Sequence, residues 1–356
     1  MIFRQIFDSG SGTYTYVLAA RRGGEALIID PVSEKVDQYL ALLRELDVRL
    51  VKALDTHVHA DHVTGLGALR DRTRCITVMG KESGANVVAM RVREGDTVDV
   101  DGISLRALHT PGHTDDSYSY HLGDRVFTGD TLLIRGTGRT DFQNGDPYAQ
   151  YDSLFGKLLR LSDDTLVFPA HDYKGMTVST IGEERAFNPR LQVKSAKEYA
   201  DIMNNLGLPN PKMMDVALPS NRSIGLAQER GMTEGWGLAA DRAIAAAAAA
   251  DVLIVDLREG KERLHDAEIP GSVHAPYASL AQFLRPGGLL SYEATRGGKR
   301  LLFYCSYGER SAMAVEAARE AGIANAFSVV GGMEAWLRGG GPVTYGEGVV
   351  QGHAGG

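Results

Sequence analysis

Cysteine is nearly absent: Cys75 and Cys305 are the only two in 356 residues. Two thiols are too few for a disulfide framework, which fits a reducing, cytoplasmic compartment. Long apolar runs are missing as well, and no stretch approaches the ~20 residues of a membrane-spanning helix. The opening Met1-Ile2-Phe3-Arg4-Gln5-Ile6-Phe7-Asp8 has neither the apolar core nor the small-residue cleavage site of a signal peptide. Basic charge is not in excess. Lys and Arg total 38 against 45 Asp and Glu, a net charge of −7 with no basic run, which argues against nucleic acid and membrane partners. What remains is a chain with 44% hydrophobic residues, enough for full cores and long enough for two domains.

The first part of the chain alternates strands and helices. Residues 14–20 and 26–29 read as a strand pair around Arg22-Gly23-Gly24. Asp30-Pro31 breaks the second strand, and Ser33 is expected to cap a helix that presents Val36, Tyr39, Leu40, Leu43 and Leu46 on one face. Asp101-Gly102 and Gly123-Asp124 each sit between apolar runs, a hairpin signal. Hairpins at sheet edges with helices between them predict a layered α/β architecture rather than a simple doubly wound sheet. Composition shifts after residue 220. Asn221 to Gly237 is expected to be a connector, and the alanine-rich 239–250 a short helix opening a second, small parallel α/β unit.

Metal chemistry is written most densely at Thr56-His57-Val58-His59-Ala60-Asp61-His62, directly after the buried-strand pattern Leu50 to Leu54. Neutral imidazole and carboxylate suit zinc, iron and other first-row metals. Further polar groups recur where later apolar runs end: His113 in His109-Thr110-Pro111-Gly112-His113, Asp130 after Val126-Phe127-Thr128-Gly129, and His171 after Phe168-Pro169-Ala170. Taken singly, each would more often be a solvated or packed residue. Taken together, they are expected to converge on one edge of a sheet sandwich.

This order of ligands resembles the metallo-β-lactamase superfamily. The run Leu133-Ile134-Arg135-Gly136-Thr137-Gly138-Arg139-Thr140-Asp141-Phe142-Gln143, with Phe168 to Tyr173 and Asn188-Pro189-Arg190, is similar to its persulfide dioxygenase branch, a relative of the glyoxalase II hydrolases. The resemblance implies an αββα sandwich. It also implies one Fe(II) held by the facial triad His57, His113 and Asp130, with no organic cofactor. His59, Asp61, His62 and His171 would then be outer groups that orient the ligands, although every residue a binuclear site needs is retained. Arg139 and Tyr173, and with them Arg222, are expected to grip the glutathione part of a glutathione persulfide substrate. Spacing leaves one metal or two open.

Cys305 presents a different chemistry. Leu301-Leu302-Phe303-Tyr304 runs into Cys305-Ser306-Tyr307-Gly308-Glu309-Arg310-Ser311, with a helix pattern behind it. Loop N–H groups and a helix N-terminus then point at the sulfur, and Arg310 is expected to add positive charge. Glu309 is expected to place negative charge beside that anion site. The loop resembles the rhodanese active site, as do Ile269-Pro270-Gly271-Ser272-Val273-His274 and Val330-Gly331-Gly332-Met333-Glu334-Ala335-Trp336. Cys75, at a strand start, reads as structural.

The expected domains are 1–225 (metallo-β-lactamase fold), 226–238 (linker), 239–345 (rhodanese) and a flexible tail at 346–356. The resemblances together imply a bifunctional enzyme. One half oxidises glutathione persulfide with O2 to sulfite and glutathione, and the other moves sulfur between thiosulfate and glutathione through a Cys305 persulfide. The alternative is a binuclear thioester hydrolase fused to a sulfur-carrier or persulfide-sensing module. The partners expected are these small molecules, and a homodimer is left open.

Overall fold

The computed structural model describes residues 1–226 and 228–345. The tail expected at 346–356 lies outside the described residues. Two compact units divide the chain, Met1–Ile224 and Gly225–Gly356.

The first unit holds two six-stranded sheets. One contains, in spatial order, β1 (Ile2–Asp8), β2 (Thr13–Ala19), β3 (Glu25–Ile29), β4 (Arg49–Leu54), β5 (Ile76–Gly80) and β6 (Met90–Val92). The other runs β12 (Ser179–Thr180), β11 (Leu166–Pro169), β10 (Arg125–Gly129), β9 (Tyr118–Leu122), β8 (Ile103–His109) and β7 (Thr97–Val100). The sheets face each other across an aromatic layer in which Phe3 and Tyr16 meet Phe127 and Phe168 at centroid distances of 4.9–6.2 Å. β2 is buried along its whole length because its outer face also carries a helix. That helix, Val36–Glu45, buries Val36, Tyr39, Leu40 and Leu43 against Val17, Ala26, Ile28 and Ala53. On the opposite side Leu154, Leu158 and Tyr199 cover Val126 and Val167. The layers are those of an αββα sandwich.

Asp101 and Gly102, both at positive φ, turn β7 into β8 with Val100 opposite Ile103. This is the primed-turn geometry that Asp-Gly favours. Ser33 does not cap the helix. It opens a short 3₁₀ turn, Ser33–Lys35, and its backbone N–H is satisfied by the carbonyl of Val63 instead. Further helices lie at Pro147–Gly156, Ile181–Phe187, Ala196–Met203 and Met214–Arg222.

The second unit is built on a parallel sheet ordered β13 (Gly237–Leu238), β17 (Ala326–Val329), β16 (Arg300–Tyr304), β14 (Val252–Asp256) and β15 (Val273–His274). A parallel sheet is covered on both faces. Along β16, Leu301 and Phe303 enter one core while Leu302 and Tyr304 enter the other. The stretch expected to be a connector is largely folded into this unit. Glu229–Thr233 is helical, Trp236 is buried in the core, and β13 pairs with β17 at the sheet edge. Its polar, Gly-rich composition hid the single aromatic anchor that holds it down. Among the described residues, no helix is long and apolar enough to cross a membrane.

Candidate functional site

The strand ends of both sheets deliver the polar cluster. His57 follows β4, His113 sits in the loop after β8, Asp130 follows β10 and His171 follows β11. Ligand atoms of His57, His113 and Asp130 all lie within 4.8 Å of one another, and all three residues are buried. The tautomers follow from the hydrogen bonds. Thr56 Oγ1 gives its single proton to Asp30 (3.0 Å), so at 2.9 Å it accepts from Nδ1–H of His57. His113 Nδ1–H donates to the carbonyl of Arg139 at 2.7 Å. Both rings therefore keep a lone pair on Nε2, and that of His113 lies 3.5 Å from Oδ2 of Asp130. A second set, buried His59, His62 and His171 with half-buried Asp61, has ligand atoms equally close together. His171 spans the two sets, with Nδ1 2.7 Å from Asp130 and Nε2 2.8 Å from Asp61.

Charge is distributed unevenly over the cluster. Burial, helped by the neighbouring His59, holds His57 well below the usual imidazole range and so neutral. Burial would lower His171 too, but Asp130 and Asp61 outweigh it and hold that ring well above the usual range. His59 is likewise pushed up, to about 9, because the charge and hydrogen bond of Asp30 overcome desolvation. Burial would raise the Asp130 carboxyl, yet His171 and then His113 keep it well below the usual carboxylate range.

A cleft of about 290 Å3 opens onto His113, Asp130 and His171. Leu133, Ile134, Phe142 and Leu208 give it an apolar wall, and Arg135, Arg139, Lys174 and Arg190 line it with positive charge. The sequence candidates for gripping glutathione part company here. Tyr173 stands at the mouth, 72% exposed, with its ring parallel to His171 at 6.0 Å. Arg139 lines the cleft but is already spent: Nε and Nη2 hold both oxygens of Asp141, and Nη1 and Nη2 donate to the carbonyls of Pro209 and Leu208. It braces the wall. Arg222 lies outside this cleft, in a separate small pocket with Asp115, Asp116, Gln143 and Asn144. The helix Met214–Arg222 sets it there, because the neighbouring Asn221 is fixed by the carbonyls of His59 and His62.

Cys305 follows β16 and is fully buried, and the N–H of Gly308 points at its sulfur from 3.1 Å. Ser311 Oγ lies 4.0 Å from the sulfur, and the helix Glu309–Glu320 starts directly behind the loop. Arg310 does not offer an open charge. Its Nη atoms hold both oxygens of Glu262 at 2.6 Å, and Ser306 donates to the same carboxylate at 2.8 Å. Nε of Arg310 is left as a buried donor without a partner. Glu309 is buried, and its carboxylate accepts the N–H of Leu226. The sequence expectation for the Arg310 charge changes accordingly, since Glu262, 48 residues away, pairs it. The carbonyl of Tyr307 accepts from Gln228.

Two family models match, the metallo-beta-lactamase superfamily over residues 9–87 and 84–171 and the rhodanese-like domain over 239–338. The human protein named persulfide dioxygenase ETHE1, mitochondrial, is 44% identical over 229 residues, 64% of this chain and 89% of that protein. The chain belongs to the persulfide dioxygenase family. A crystal structure of ETHE1 from Myxococcus xanthus is 55% identical, covers 63% of this chain and 99% of its own, and superposes with a TM-score of 0.61. A hydroxyacylglutathione hydrolase of Rhodopseudomonas palustris is 34% identical over 58% of this chain and 79% of its own. A rhodanese-like domain follows the dioxygenase-family domain in this chain, so the two form a fusion.

The residues of this persulfide dioxygenase homologue fit a resident metal. Nδ1 of His59 and Nε2 of His62 are buried without hydrogen-bond partners, in addition to the Nε2 lone pairs of the triad. Gly138 makes room for the set: a Cβ there would stand 2.4 Å from the carbonyl of Asp130 and 2.8 Å from the His113 ring. Sequence reasoning missed Asp30, read only as a strand breaker. It sits at positive φ after β3, and its carboxylate takes the Thr56 N–H (2.7 Å), Thr56 Oγ1 and His59 Nε2 (3.2 Å). Thr13, which approaches Asp61, His62 and His171, was missed as well. An acid immediately before Pro31, at the end of a buried strand, was the available signal for Asp30.

Proposed function

We propose that the chain oxidises glutathione persulfide with O2 at a single iron held by His57, His113 and Asp130. In the same reading it transfers sulfane sulfur between thiosulfate and glutathione through Cys305. The first reaction balances as persulfide plus O2 plus water giving glutathione and sulfurous acid. In the second, the Cys305 thiolate attacks the outer sulfur of thiosulfate and sulfite leaves with the bonding pair. A glutathione thiolate then takes that sulfur from Cys305. When bound, the iron supplies the redox chemistry that no side chain carries.

One observation carries the reading: both triad imidazoles are tautomerically fixed from behind, leaving Nε2 and a carboxylate on one buried face. The occupied nitrogens of His171, each held by a carboxylate, support one metal rather than two. Lys174 and Arg190 at the cleft, with Tyr173, take the two carboxylates of glutathione in this reading, with Arg139 as their brace. The apolar wall of Leu133, Ile134, Phe142 and Leu208 keeps bulk water from the persulfide. Two free, buried cysteines suit a cytoplasmic setting.

The orphaned nitrogens of His59 and His62 favour a second reading, a binuclear hydrolase of glutathione thioesters. Metal analysis with an oxygen electrode separates the two. One iron per chain and persulfide-dependent oxygen uptake support the dioxygenase, whereas two metals and thioester cleavage without uptake overturn it. Cys305→Ser is expected to abolish sulfite release from thiosulfate and glutathione while oxygen uptake continues.

A further inference from the structure

The loop that holds Cys305 is not self-supporting. Its key contact is the Gly308 N–H at 3.1 Å from the sulfur, and that N–H belongs to the peptide between Tyr307 and Gly308. The carbonyl at the other end of the same peptide accepts from Nε2 of Gln228 at 2.9 Å. In a planar trans peptide the C=O and N–H point in opposite directions. Whatever grips the Tyr307 carbonyl therefore aims the Gly308 N–H. Gly308 sits at φ +90, a conformation with no steric preference of its own to fix the plane.

The other end of the Gln228 amide is fixed too. Its Oε1 accepts the N–H of Gly331 at 2.9 Å. A carbonyl needs a donor and an N–H needs an acceptor, so only one orientation of this amide satisfies both partners. Gly331 caps the helix Gly332–Arg338, whose first turn lies against the backbone of the Cys305 loop. Met333 N–H donates to the Cys305 carbonyl at 2.7 Å and Glu334 N–H to that of Ser306 at 3.2 Å. The glycine surface is closed so tightly that a Cβ on Gly332 would lie 2.3 Å from the Cys305 carbonyl oxygen. One side chain thus ties the Cys305 loop to the N-terminus of the helix packed against it. Gln228 precedes the stretch that the rhodanese-like model matches, residues 239–338.

We propose that Gln228 is a positioning residue for sulfur transfer, locking the Tyr307–Gly308 peptide so that its N–H faces the sulfur of Cys305. The proposal rests on Cys305 being the sulfur carrier. Donation to a peptide carbonyl also polarises the peptide, which strengthens the N–H at its far end toward an anionic sulfur.

The test uses the full chain and two variants, Gln228→Met, which keeps the length and loses both bonds, and Gln228→Glu, which keeps an acceptor for Gly331 but cannot donate to Tyr307. Gln228 is only partly buried, so neither change threatens the core. Both variants are expected to lower kcat for thiosulfate–glutathione transfer by about tenfold with KM for thiosulfate within about twofold. Alkylation of Cys305 by iodoacetamide at pH 7, read on its own peptide by mass spectrometry, is expected to slow in both. A merely structural role would do the reverse, because a loosened loop exposes the buried thiol. Unchanged kcat in Gln228→Met, or full rescue by Gln228→Glu, or faster alkylation, overturns the proposal. Slower alkylation in a protein whose wild type transfers no sulfur at all would keep the positioning role and sink the sulfur-carrier reading instead.

Discussion

His171 holds Asp130 in place: Nδ1 lies 2.7 Å from Oδ1, while the opposite nitrogen is anchored by Asp61 at 2.8 Å. A triad carboxylate can turn about two side-chain bonds, so a ring fixed at both ends restricts which oxygen faces His57 and His113. Groups of this kind commonly set metal affinity by ~10–100-fold. His171→Ala is therefore expected to weaken metal binding by about that factor in a chelator-buffered titration, with oxygen uptake falling in step. Unaltered affinity would show that Asp130 is positioned by its backbone alone.

Asp30 supports the cluster from underneath. Its carboxylate satisfies the Thr56 N–H and hydroxyl, and through that hydroxyl it sets the tautomer of His57. Asp30→Ala leaves three buried donors unmet, the Thr56 N–H and hydroxyl and Nε2 of His59, and places alanine at φ 50, and a loss of about 3 kcal/mol in unfolding free energy is expected. Asp30→Asn tolerates the backbone and should recover part of it. Denaturant unfolding of the two variants beside wild type checks this. Equal stability of Ala and Asn would remove both the hydrogen bonds and the backbone from the account.

Much of this arrangement was legible in the sequence because strand ends deliver the polar cluster. His57, His113, Asp130 and His171 each follow an apolar run, and those runs fold as β4, β8, β10 and β11. Cys305 was legible for the same reason, after β16. Partners across long sequence gaps were not. Glu262 claims Arg310 over 48 residues, and Gln228 reaches Tyr307 over 79. Neither contact leaves a local pattern. Arg139 misled in the opposite way, since a cation beside the right motif looks available until Asp141 and two carbonyls are found to occupy it. The stretch 226–238 read as a connector because its order depends on Trp236 and edge pairing, not on periodicity.

Gly138 is where backbone room and ligand geometry meet. Since a Cβ would stand 2.4 Å from the Asp130 carbonyl and 2.8 Å from the His113 ring, neither neighbour is a flexible chain end that can step aside. Gly138→Ala is expected to displace Asp130 or His113, lowering metal content per chain by at least about half. The rhodanese-like unit should be untouched, so thiosulfate turnover serves as the internal control. Full metal loading in Gly138→Ala would mean that the loop 131–140 shifts as a body.

Glu262 ties the Cys305 loop to pH. Burial would push its carboxyl up, but the Arg310 guanidinium outweighs that and holds it below the usual 4.5. A carboxyl with a lower pKa folded than unfolded stabilises the fold fully above the unfolded value, and that contribution fades as pH falls through 4.5 toward the folded value. Removing one partner of a buried pair costs about 3–5 kcal/mol. Glu262→Gln keeps some hydrogen bonding, so the lower end of that range is expected at neutral pH. The gap between wild type and variant should be flat from about pH 6 to 8 and should shrink below about 4.5 as the wild-type carboxyl becomes protonated. Both tryptophans of the chain, Trp236 and Trp336, are buried in this unit, so tryptophan fluorescence reports its unfolding selectively. A gap that stays constant down to pH 3 would mean that the carboxylate charge does not stabilise the loop, and Arg310 would then have to be neutralised by another group.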